Sequence, residues 1–549
     1  MRRVEVAMSD LPIPTIDPDK LLPELQHCLI SGDFETGLST ILRQVQPERL
    51  RHCDELTRLR VLALAAELLD YSGRYEDART LIEEEGRRCQ KILGSLDRRR
   101  TKSSAGVDLS LTKQQVWVVI HYGYTLYRRS KFTDALAHFE LCRRVVNNVI
   151  GASLRCDGTL ARVHYCIGLA QREEYQYTLA KENFTRSMDY AWHNLGTRIR
   201  TAKSNLVESS NSVFATFSNA KTLGLGLGWI HYSEGQLELA MPLLLAAKNL
   251  LVPYHERLIK AYVDVVYASI LRAEKGDKPD SLNEAIAILD QSHEVFRKHS
   301  HDYYRVRSAN QLAIAHLEEA RNYTNISPVH RKALKTSLKF IREMKDFATS
   351  VEDRRFLCNA LVIESRVKGL QQKHSESLAL AELAVAQASG NLFGQIDAHI
   401  ALGEALLKLE KYEAACHEFE WAATEGKRNP KVRAVCELHL ANANALNSDL
   451  RSAIRHYHEW QLMEPQVRNA FMRNLADAVN RLLEKKTEDF VVPWSRVSLS
   501  SSSLQQDLRE WLVKWARSRT GNEEEAAHLL GVSKQTYYTW KSRRDRSAS

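Results

Sequence analysis

The chain has 549 residues, a formal net charge of +9, and 44% hydrophobic and 26% charged residues. This length is too great for one compact core, so several domains or a repeat array are expected. The mild positive charge excludes a protein that binds nucleic acid through its overall charge, as a histone does, so any such role must be local. With 23 glycines, 12 prolines and few runs of period two, the chain is predicted to be all-α.

Residues 1–20 are predicted to form an N-terminal tail. Its first residues, Met1-Arg-Arg-Val-Glu-Val-Ala7, carry charges but no apolar segment, so they do not read as a signal peptide. No stretch reaches the length of a membrane span, and no membrane partner is expected. The nine cysteines are odd in number, scattered and without a Cys-x-x-Cys pair, which is typical of reduced thiols. The protein is therefore expected to be cytoplasmic.

From residue 21 to residue 486 one pattern recurs. A small residue is followed twelve positions later by alanine, and four positions after that by a large apolar residue. Such triplets are Gly123, Ala135 and Phe139; Gly168, Ala180 and Phe184; Gly228, Ala240 and Leu244; and Gly403, Ala415 and Phe419, with two more that start at Ala66 and Ala441. The small residue and the alanine let two antiparallel helices approach closely, and the large residue fills the groove to the next pair.

The segment from Ala401 to Ala422, ALGEALLKLEKYEAACHEFEWA, carries the pattern most clearly and resembles the tetratricopeptide repeat. The spacing between successive small residues exceeds the 34 residues of that family, so longer helices and connections are expected, in about ten helix pairs. Some pairs, such as the one around Phe356–Ala386, keep the helical period but lose the small residues. The resemblance implies a superhelix whose concave face binds a protein or peptide.

Two features of the array suggest chemistry but have simpler explanations. Gly224-Leu-Gly-Leu-Gly228 follows no strand and precedes no Lys-Ser/Thr, and Gly228 already has a packing role. Cys416-His417 and Cys436-x-x-His439 could supply four zinc ligands, but each is also an ordinary helix position. The chain has no nucleophile elbow, Walker motif or paired carboxylates. We therefore expect no metal, no cofactor and no enzymatic activity.

Beyond residue 486 the composition changes. Residues 487–503 contain Pro493 and four consecutive serines, so a Ser-rich linker is predicted there. Residues 504–549 are predicted to form three helices. Leu504, Leu508, Trp511, Leu512 and Trp515 have helical spacing, Asn522 and Ser533 can cap the two following helices, and Gly531 can form the turn between them.

The last predicted helix combines lysines and arginines with serine, threonine, glutamine and tyrosine, a composition suited to phosphate contact and base-edge hydrogen bonding. Gly521, Asn522, Ala526, Ala527, Leu530, Gly531, Val532, Ser533 and Thr536 resemble the Fis-type helix-turn-helix, and Leu530–Trp540 also resembles transposase-type domains. This resemblance implies that the helix Ser533–Arg543 enters the major groove of DNA. The candidate DNA-binding residues are Asn522, Ser533, Lys534, Gln535, Thr536, Tyr538, Lys541, Arg543 and Arg544.

The sequence thus predicts a DNA-binding regulator whose repeat array binds a protein or peptide and whose terminal module binds double-stranded DNA. Related modules bind two half-sites as dimers, so a homodimer with Trp511 or Trp515 at the contact is one possible arrangement. Two alternatives remain open. One is a protein-interaction scaffold whose last helices only cap the array, and the other is an accessory protein of a mobile element or a phage-defence system.

Overall fold

The computed structural model describes residues 17–31, 34–45, 47–50, 52–71, 74–99, 107–151, 157–201, 216, 218–251, 257–275, 278–323, 327–388, 392–463 and 470–486 of the long N-terminal part. Towards the C-terminus it describes residues 509, 512–513, 516–517, 520, 522–530 and 532–545. The described residues are almost entirely helical and include no strand. The predicted all-α class and helical-repeat superhelix are confirmed. No described helix is long and apolar enough to cross a bilayer.

The helices follow one another along the chain. In the first part they are Pro18–Ser31, Phe34–Gln44, Pro47–Leu50, Glu55–Tyr71, Tyr75–Arg99, Leu109–Arg128, Phe132–Val145, Asp157–Glu173, Tyr177–Thr201, Trp229–Ser233, Leu237–Leu251 and Arg257–Lys275. They continue as Pro279–Lys298, Asp302–Arg321, Pro328–Ser350, Arg354–Leu370, His374–Gln387, Leu392–Lys408, Tyr412–Glu425, Pro430–Leu446, Leu450–Leu462 and Ala470–Lys486. Two further helices are Glu523–Leu529 and Lys534–Asp545. Most neighbouring helices of the array pack on each other, as expected for stacked pairs.

Two compact units divide the chain, Met1–Leu475 and Ala476–Ser549. This division lies inside the helix Ala470–Lys486, whereas the sequence analysis ended the array at residue 486. At the other end, the first helix begins at Pro18, inside the predicted tail. Asp17 accepts a hydrogen bond from the Asp19 backbone N–H, and proline is well suited to the first helical position. The Asp17-Pro18-Asp19 sequence is thus a helix start that the sequence analysis missed.

The glycines of the repeat pattern lie directly beneath the large residues sixteen positions later. A Cβ atom on Gly403 would lie 2.5 Å from Cε1 of Phe419, and one on Gly123 would lie 2.8 Å from Cε1 of Phe139. The other face of the aromatic ring contacts the next pair, since Phe419 stacks on His439 with ring centroids 4.8 Å apart. The large residue therefore joins both its own pair and the next, whereas the sequence analysis placed it only in the groove between pairs.

The triplet of Gly168, Ala180 and Phe184 has the same geometry. A Cβ atom on Gly168 would lie 2.8 Å from Cε1 of Phe184, and the same ring covers Gly226 of the following pair at 3.0 Å. The alanines between the small and the large residues are fully buried: Ala135, Ala180, Ala240 and Ala415. A larger side chain at any of these positions would hold two helices apart.

The turn inside each pair also repeats. Ser130, Tyr175, Gln372, Glu410 and Ser448 all have φ between 57° and 65°, and each lies five positions before the small residue of the second helix. The backbone N–H of the residue after each of these positions donates to a carbonyl near the end of the preceding helix, as the Lys411 N–H does to the Leu406 carbonyl at 3.0 Å. This is a Schellman motif formed without glycine. Gly235 has the same place, with φ of 83°.

The turn at Gln372 shows that the helix pair around Phe356–Ala386, which lacks the small residues of the pattern, has the same architecture. Ser365 and Ser377 occupy the small-residue positions and are fully buried, and the Ser365 hydroxyl donates to the Ser377 carbonyl at 2.8 Å. Serine is small enough for the close approach, and its hydroxyl is satisfied by the facing backbone. Allowing serine at both positions of the pattern would have revealed this pair from the sequence.

Residues Thr222–Gly228 form a π-helical stretch that continues into the helix Trp229–Ser233. Its glycines are packing positions. A Cβ atom on Gly224 would lie 2.9 Å from Val263, and one on Gly228 would lie 2.9 Å from the Leu223 carbonyl and 3.3 Å from Leu244. The glycine cluster is thus explained by close helix packing.

Candidate functional site

The C-terminal module has a small core. Residues 509, 512, 513, 516 and 517 are helical, and Val513 and Ala516 are buried with Ala526, Ala527 and Tyr537. Leu530 and Val532 pack against this group. From the sequence, this core is predicted to contain Ala526, Leu530, Val532, Tyr537 and Trp540, together with the leucines and tryptophans of the first helix; the Trp540 side chain lies outside the described residues. Val513 and Ala516 were missed because Trp511 and Trp515 dominate the apolar pattern.

Side-chain caps fix the start of both later helices. Asn522 Oδ1 accepts hydrogen bonds from the backbone N–H groups of Glu524 at 3.1 Å and Glu525 at 2.8 Å. Ser533 Oγ accepts one from the Thr536 backbone N–H at 3.1 Å and lies 2.7 Å from the Thr536 hydroxyl. Asn522, Ser533 and Thr536, predicted to contact DNA, therefore all take part in local capping. Such contacts order the turn between the helices and orient the second one.

The helix Lys534–Asp545 presents one polar face to solvent. Tyr537 is fully buried and anchors the helix, while Lys534, Gln535, Tyr538 and Thr539 are exposed. Positions one, two, five and six of a helix share one side, so these four side chains form a continuous surface, which we call the outward face. It combines a cation, an amide, a phenol and a hydroxyl, which are groups that contact phosphates and base edges.

Acidic residues lie close to this face. Lys534 Nζ pairs with Glu524 Oε2 at 3.2 Å, and Glu523, Glu524 and Glu525 form the first turn of the preceding helix. Both partners of the Lys534 pair are largely exposed, so the pair contributes little stability, about 0–1 kcal/mol. Lys534 can exchange this carboxylate for a phosphate at small cost.

Several predicted positions lie outside the described part of the chain. These are the side chains of Lys541, Arg543 and Arg544, the turn residue Gly531, both tryptophans of the first helix, and the linker 487–503. Their roles remain predictions.

Within the repeat array, an early and a late stretch of sequence pack on each other. We call this contact the seam. The Tyr75 and Tyr303 rings meet edge to face with centroids 5.1 Å apart, and Arg129 pairs with Glu352 at 3.7 Å. Further along, Asn429 donates to the Tyr177 hydroxyl at 3.5 Å, and Lys431 Nζ lies 3.5 Å from the centre of the Tyr232 ring. An early stretch of the array thus packs along a late stretch. Successive contacts join residues that lie further along the sequence in both stretches.

Arg128 is at the centre of the seam. Its guanidinium carbon lies 4.0 Å from the ring centre of Tyr303 and 4.6 Å from those of Tyr75 and Tyr124, and Nη2 donates to the Tyr124 hydroxyl at 2.7 Å. Only 6% of the residue is exposed. Aromatic faces attract a desolvated cation by roughly 2 kcal/mol or more. The tyrosines therefore hold Arg128 between the two stretches of the array.

Charges around the seam perturb neighbouring groups. Burial would raise the pKa of Tyr303, but Arg355, Arg128 and Arg307 together lower it to about 8. Burial would also raise the pKa of Glu173, but Arg172 and Arg355 lower it to about 2. Lys431 has its pKa lowered to about 7 by burial and by Arg272. Arg355, Arg128 and Arg307 thus act together on the Tyr303 phenol at the centre of the seam.

The four zinc-ligand candidates are engaged separately. His439 Nε2 lies 3.3 Å from Glu404 Oε1 and its ring stacks on Phe419, whereas His417 is exposed beside Glu418. Cys436 is buried, and burial raises the pKa of its thiol to about 12. Over the described ranges, no three histidine, cysteine or acidic side chains converge as a metal site would require.

Comparison with known proteins gives no family. No family model matches the chain, and no curated protein matches it. The Fis-type resemblance of the terminal module therefore remains a prediction.

Solved structures with a related fold do match. Rap protein complexed with competence and sporulation factor is 13% identical and covers 76% of this chain and 100% of its own, with a TM-score of 0.47. A signal transduction ATPase with a tetratricopeptide repeat sensor, from Pyrococcus horikoshii, is 13% identical and covers 97% and 74%, with a TM-score of 0.33. Human IFIT1 with m7Gppp-AAAA is 13% identical and covers 71% and 90%, with a TM-score of 0.28. These likenesses concern the helical fold alone.

Proposed function

We propose that the protein is a DNA-binding regulator in which the C-terminal module contacts double-stranded DNA. The observation that carries this proposal is the outward face of the helix Lys534–Asp545. Lys534, Gln535, Tyr538 and Thr539 are exposed together on it, while Tyr537 and the caps at Asn522 and Ser533 fix the helix from behind. A short helix held in this way, with polar side chains in its first two turns, suits insertion into a major groove.

The repeat array is the second part of the proposal. Stacked helical repeats offer extended surfaces on which other macromolecules bind. We expect the array to bind a protein or peptide and so to determine when or where the module acts. At the seam, the facing stretches are filled by their own tyrosines and arginines, so a peptide must bind elsewhere on the array.

The test measures binding of the full-length protein to duplex DNA. A selection from a random duplex library first gives the preferred site, and fluorescence anisotropy then gives the affinity at several salt concentrations. Lys534→Ala should weaken binding to the preferred site by about 1–3 kcal/mol and relax its sequence preference, because Lys534 is in the first turn of the helix. The matched control is Lys408→Ala, an exposed lysine of the array, which should leave DNA affinity unchanged.

A second variant separates charge from fold. Glu524→Gln removes the carboxylate that pairs with Lys534 and should strengthen DNA binding slightly, since it frees the lysine and lowers repulsion of phosphates. If the intact protein shows no salt-dependent DNA binding, the regulator proposal fails. The alternative would then be a protein-interaction scaffold, whose ligand would be sought by peptide binding to the array.

A further inference from the structure

In the described part of the chain, the seam contains a buried cation that forms no ion pair with an acidic side chain. Two other arginines of the array have carboxylate partners: the half-buried Arg366 contacts Glu404 at 2.7 Å and Asp397 at 3.0 Å, and the buried Arg272 contacts Glu318 at 2.5 Å. Within the described ranges, Arg128 has only tyrosine partners, and its Nε has no hydrogen-bond partner. A buried charge without a counter-charge is strongly unfavourable, so this site is suited to an added anion.

Arg128 lines a cleft of about 190 Å³ between the two stretches of the array. Tyr75, Thr125, Arg129, Tyr303 and Ser350 also line it. A water molecule occupies about 30 Å³ in the liquid, so the cleft holds a group of roughly six non-hydrogen atoms. That size suits a small oxyanion.

The acidic residues around the cleft do not neutralise Arg128. Asp77 pairs with Arg74 at 2.5 Å, Glu76 with Arg79 at 2.7 Å, and Asp302 with Arg305 at 3.2 Å.

The fourth acidic residue of the cleft, Asp353, is engaged in the same way. It accepts hydrogen bonds from the backbone N–H groups of Arg355 and Phe356 at the start of their helix, and it lies 3.8 Å from the Arg355 guanidinium. Each carboxylate of the cleft thus pairs with another group, and among the described residues Arg128 forms no ion pair.

We propose that the seam cleft binds a small oxyanion, a free phosphate or the phosphate of a small ester, against the Arg128 guanidinium. The planar fork of the Arg128 guanidinium offers the N–H donors that such a group requires. Because the cleft is formed by an early and a late part of the array, the bound anion also ties these parts together. Binding is independent of the DNA-binding module.

The experiment uses the full-length protein with inorganic phosphate as the first probe. Titration calorimetry should show saturable binding of one phosphate per chain, and the thermal midpoint of the array should rise with phosphate concentration. Sodium chloride at matched ionic strength is the control for screening. Glycerol phosphate, as a monoester, distinguishes an ester from the free anion according to which binds more tightly, and acetate tests whether a carboxylate suffices.

Arg128→Met should weaken phosphate binding at least tenfold, while Arg342→Met, at an exposed arginine outside the cleft, should leave it unchanged. Arg128→Lys keeps the charge but lacks the planar fork, and it replaces Arg128→Met in the measurement if the methionine variant does not fold. It should bind phosphate several-fold more weakly than the wild type. Phosphate affinity within twofold of wild type in either Arg128 variant would overturn the proposal.

Tyr303 offers a readout within the cleft itself. Its phenol faces Arg128, Arg355, Arg307 and Asp353, and its pKa is lowered to about 8 by the arginines. An anion beside Arg128 disfavours the phenolate, so saturating phosphate should move this titration to higher pH, as followed by tyrosinate absorbance. Tyr303→Phe should remove the titrating component. A phenolate titration that phosphate does not move would also overturn the proposal.

Discussion

The repeat array and the C-terminal module are both built from short helices, but they are stabilised differently. In the array, each large residue is clamped between two pairs, as Phe419 is between Gly403 and His439. Among the described residues of the module, one aromatic residue, Tyr537, packs against three alanines and a valine. The packing lost by a substitution in the array is therefore spread over neighbouring helix pairs. A substitution in the module affects nearly the whole of its core.

The largest effect is expected for Tyr537→Ala. Removing a fully buried aromatic side chain costs about 3–5 kcal/mol, which is comparable to the whole stability that so small a core can supply. The module should unfold, be cleaved rapidly by protease and lose DNA binding, while the thermal transition of the array stays in place. Limited proteolysis with circular dichroism measures both.

The control at the same position is Tyr537→Phe. The Tyr537 hydroxyl is buried and has no hydrogen-bond partner in the described part of the chain. Its removal should therefore leave stability unchanged or improve it by about 1 kcal/mol. If Tyr537→Ala still bound DNA with full affinity, the module would not depend on this core, and the contrast with the array would be wrong.

A smaller effect is expected in the array for Gly403→Ala. Its Cβ would lie 2.5 Å from Phe419 Cε1, so the ring must shift against His439, at a cost of about 1–3 kcal/mol. Gly94→Ala is the matched control, because nothing lies within 4 Å of its Cβ and the residue is in the helix Tyr75–Arg99. That variant should gain about 0.5–1 kcal/mol from helix propensity. Thermal unfolding of the two variants should shift in opposite directions.

What the sequence could reveal was local. The triplet pattern places small and large residues sixteen positions apart, and the structure brings Gly123 beneath Phe139 and Gly403 beneath Phe419. The pattern missed the pair with Ser365 and Ser377 because serine counts as polar, although its hydroxyl can bond the facing helix. Caps at Asn522 and Ser533 could be predicted because capping depends on residues three positions apart.

The seam could not be predicted, because it joins parts of the chain that no periodicity relates. No sequence pattern near Arg128 predicts its contact with Tyr303, and a hydropathy scale assigns arginine to the surface. The nearest signal is Tyr122-Gly-Tyr-Thr-Leu-Tyr-Arg128, an unusual density of tyrosine on one helix. Such a segment favours burial of its tyrosine hydroxyls against other polar groups. Which part of the chain supplies those groups is determined by the path of the superhelix.

The last prediction makes the same kind of change in both regions. Asn522 caps the module helix through Glu524 and Glu525, and Asp108 caps the helix Leu109–Arg128 by accepting from the Leu111 backbone N–H at 3.0 Å. Replacing either residue by alanine should cost about 1 kcal/mol, because one cap is lost in each case.

The consequence of that loss should differ between the two regions. The shift in melting temperature equals the lost free energy divided by the entropy of unfolding, and this entropy grows with the number of residues that unfold together. Asn522→Ala should therefore lower the midpoint of the module, followed through its DNA binding, by about 4–8 °C. Asp108→Ala should lower that of the array, followed by circular dichroism, by less than about 2 °C. Equal shifts would mean that the array does not unfold as a large cooperative unit, and that its pairs are as independent as the module.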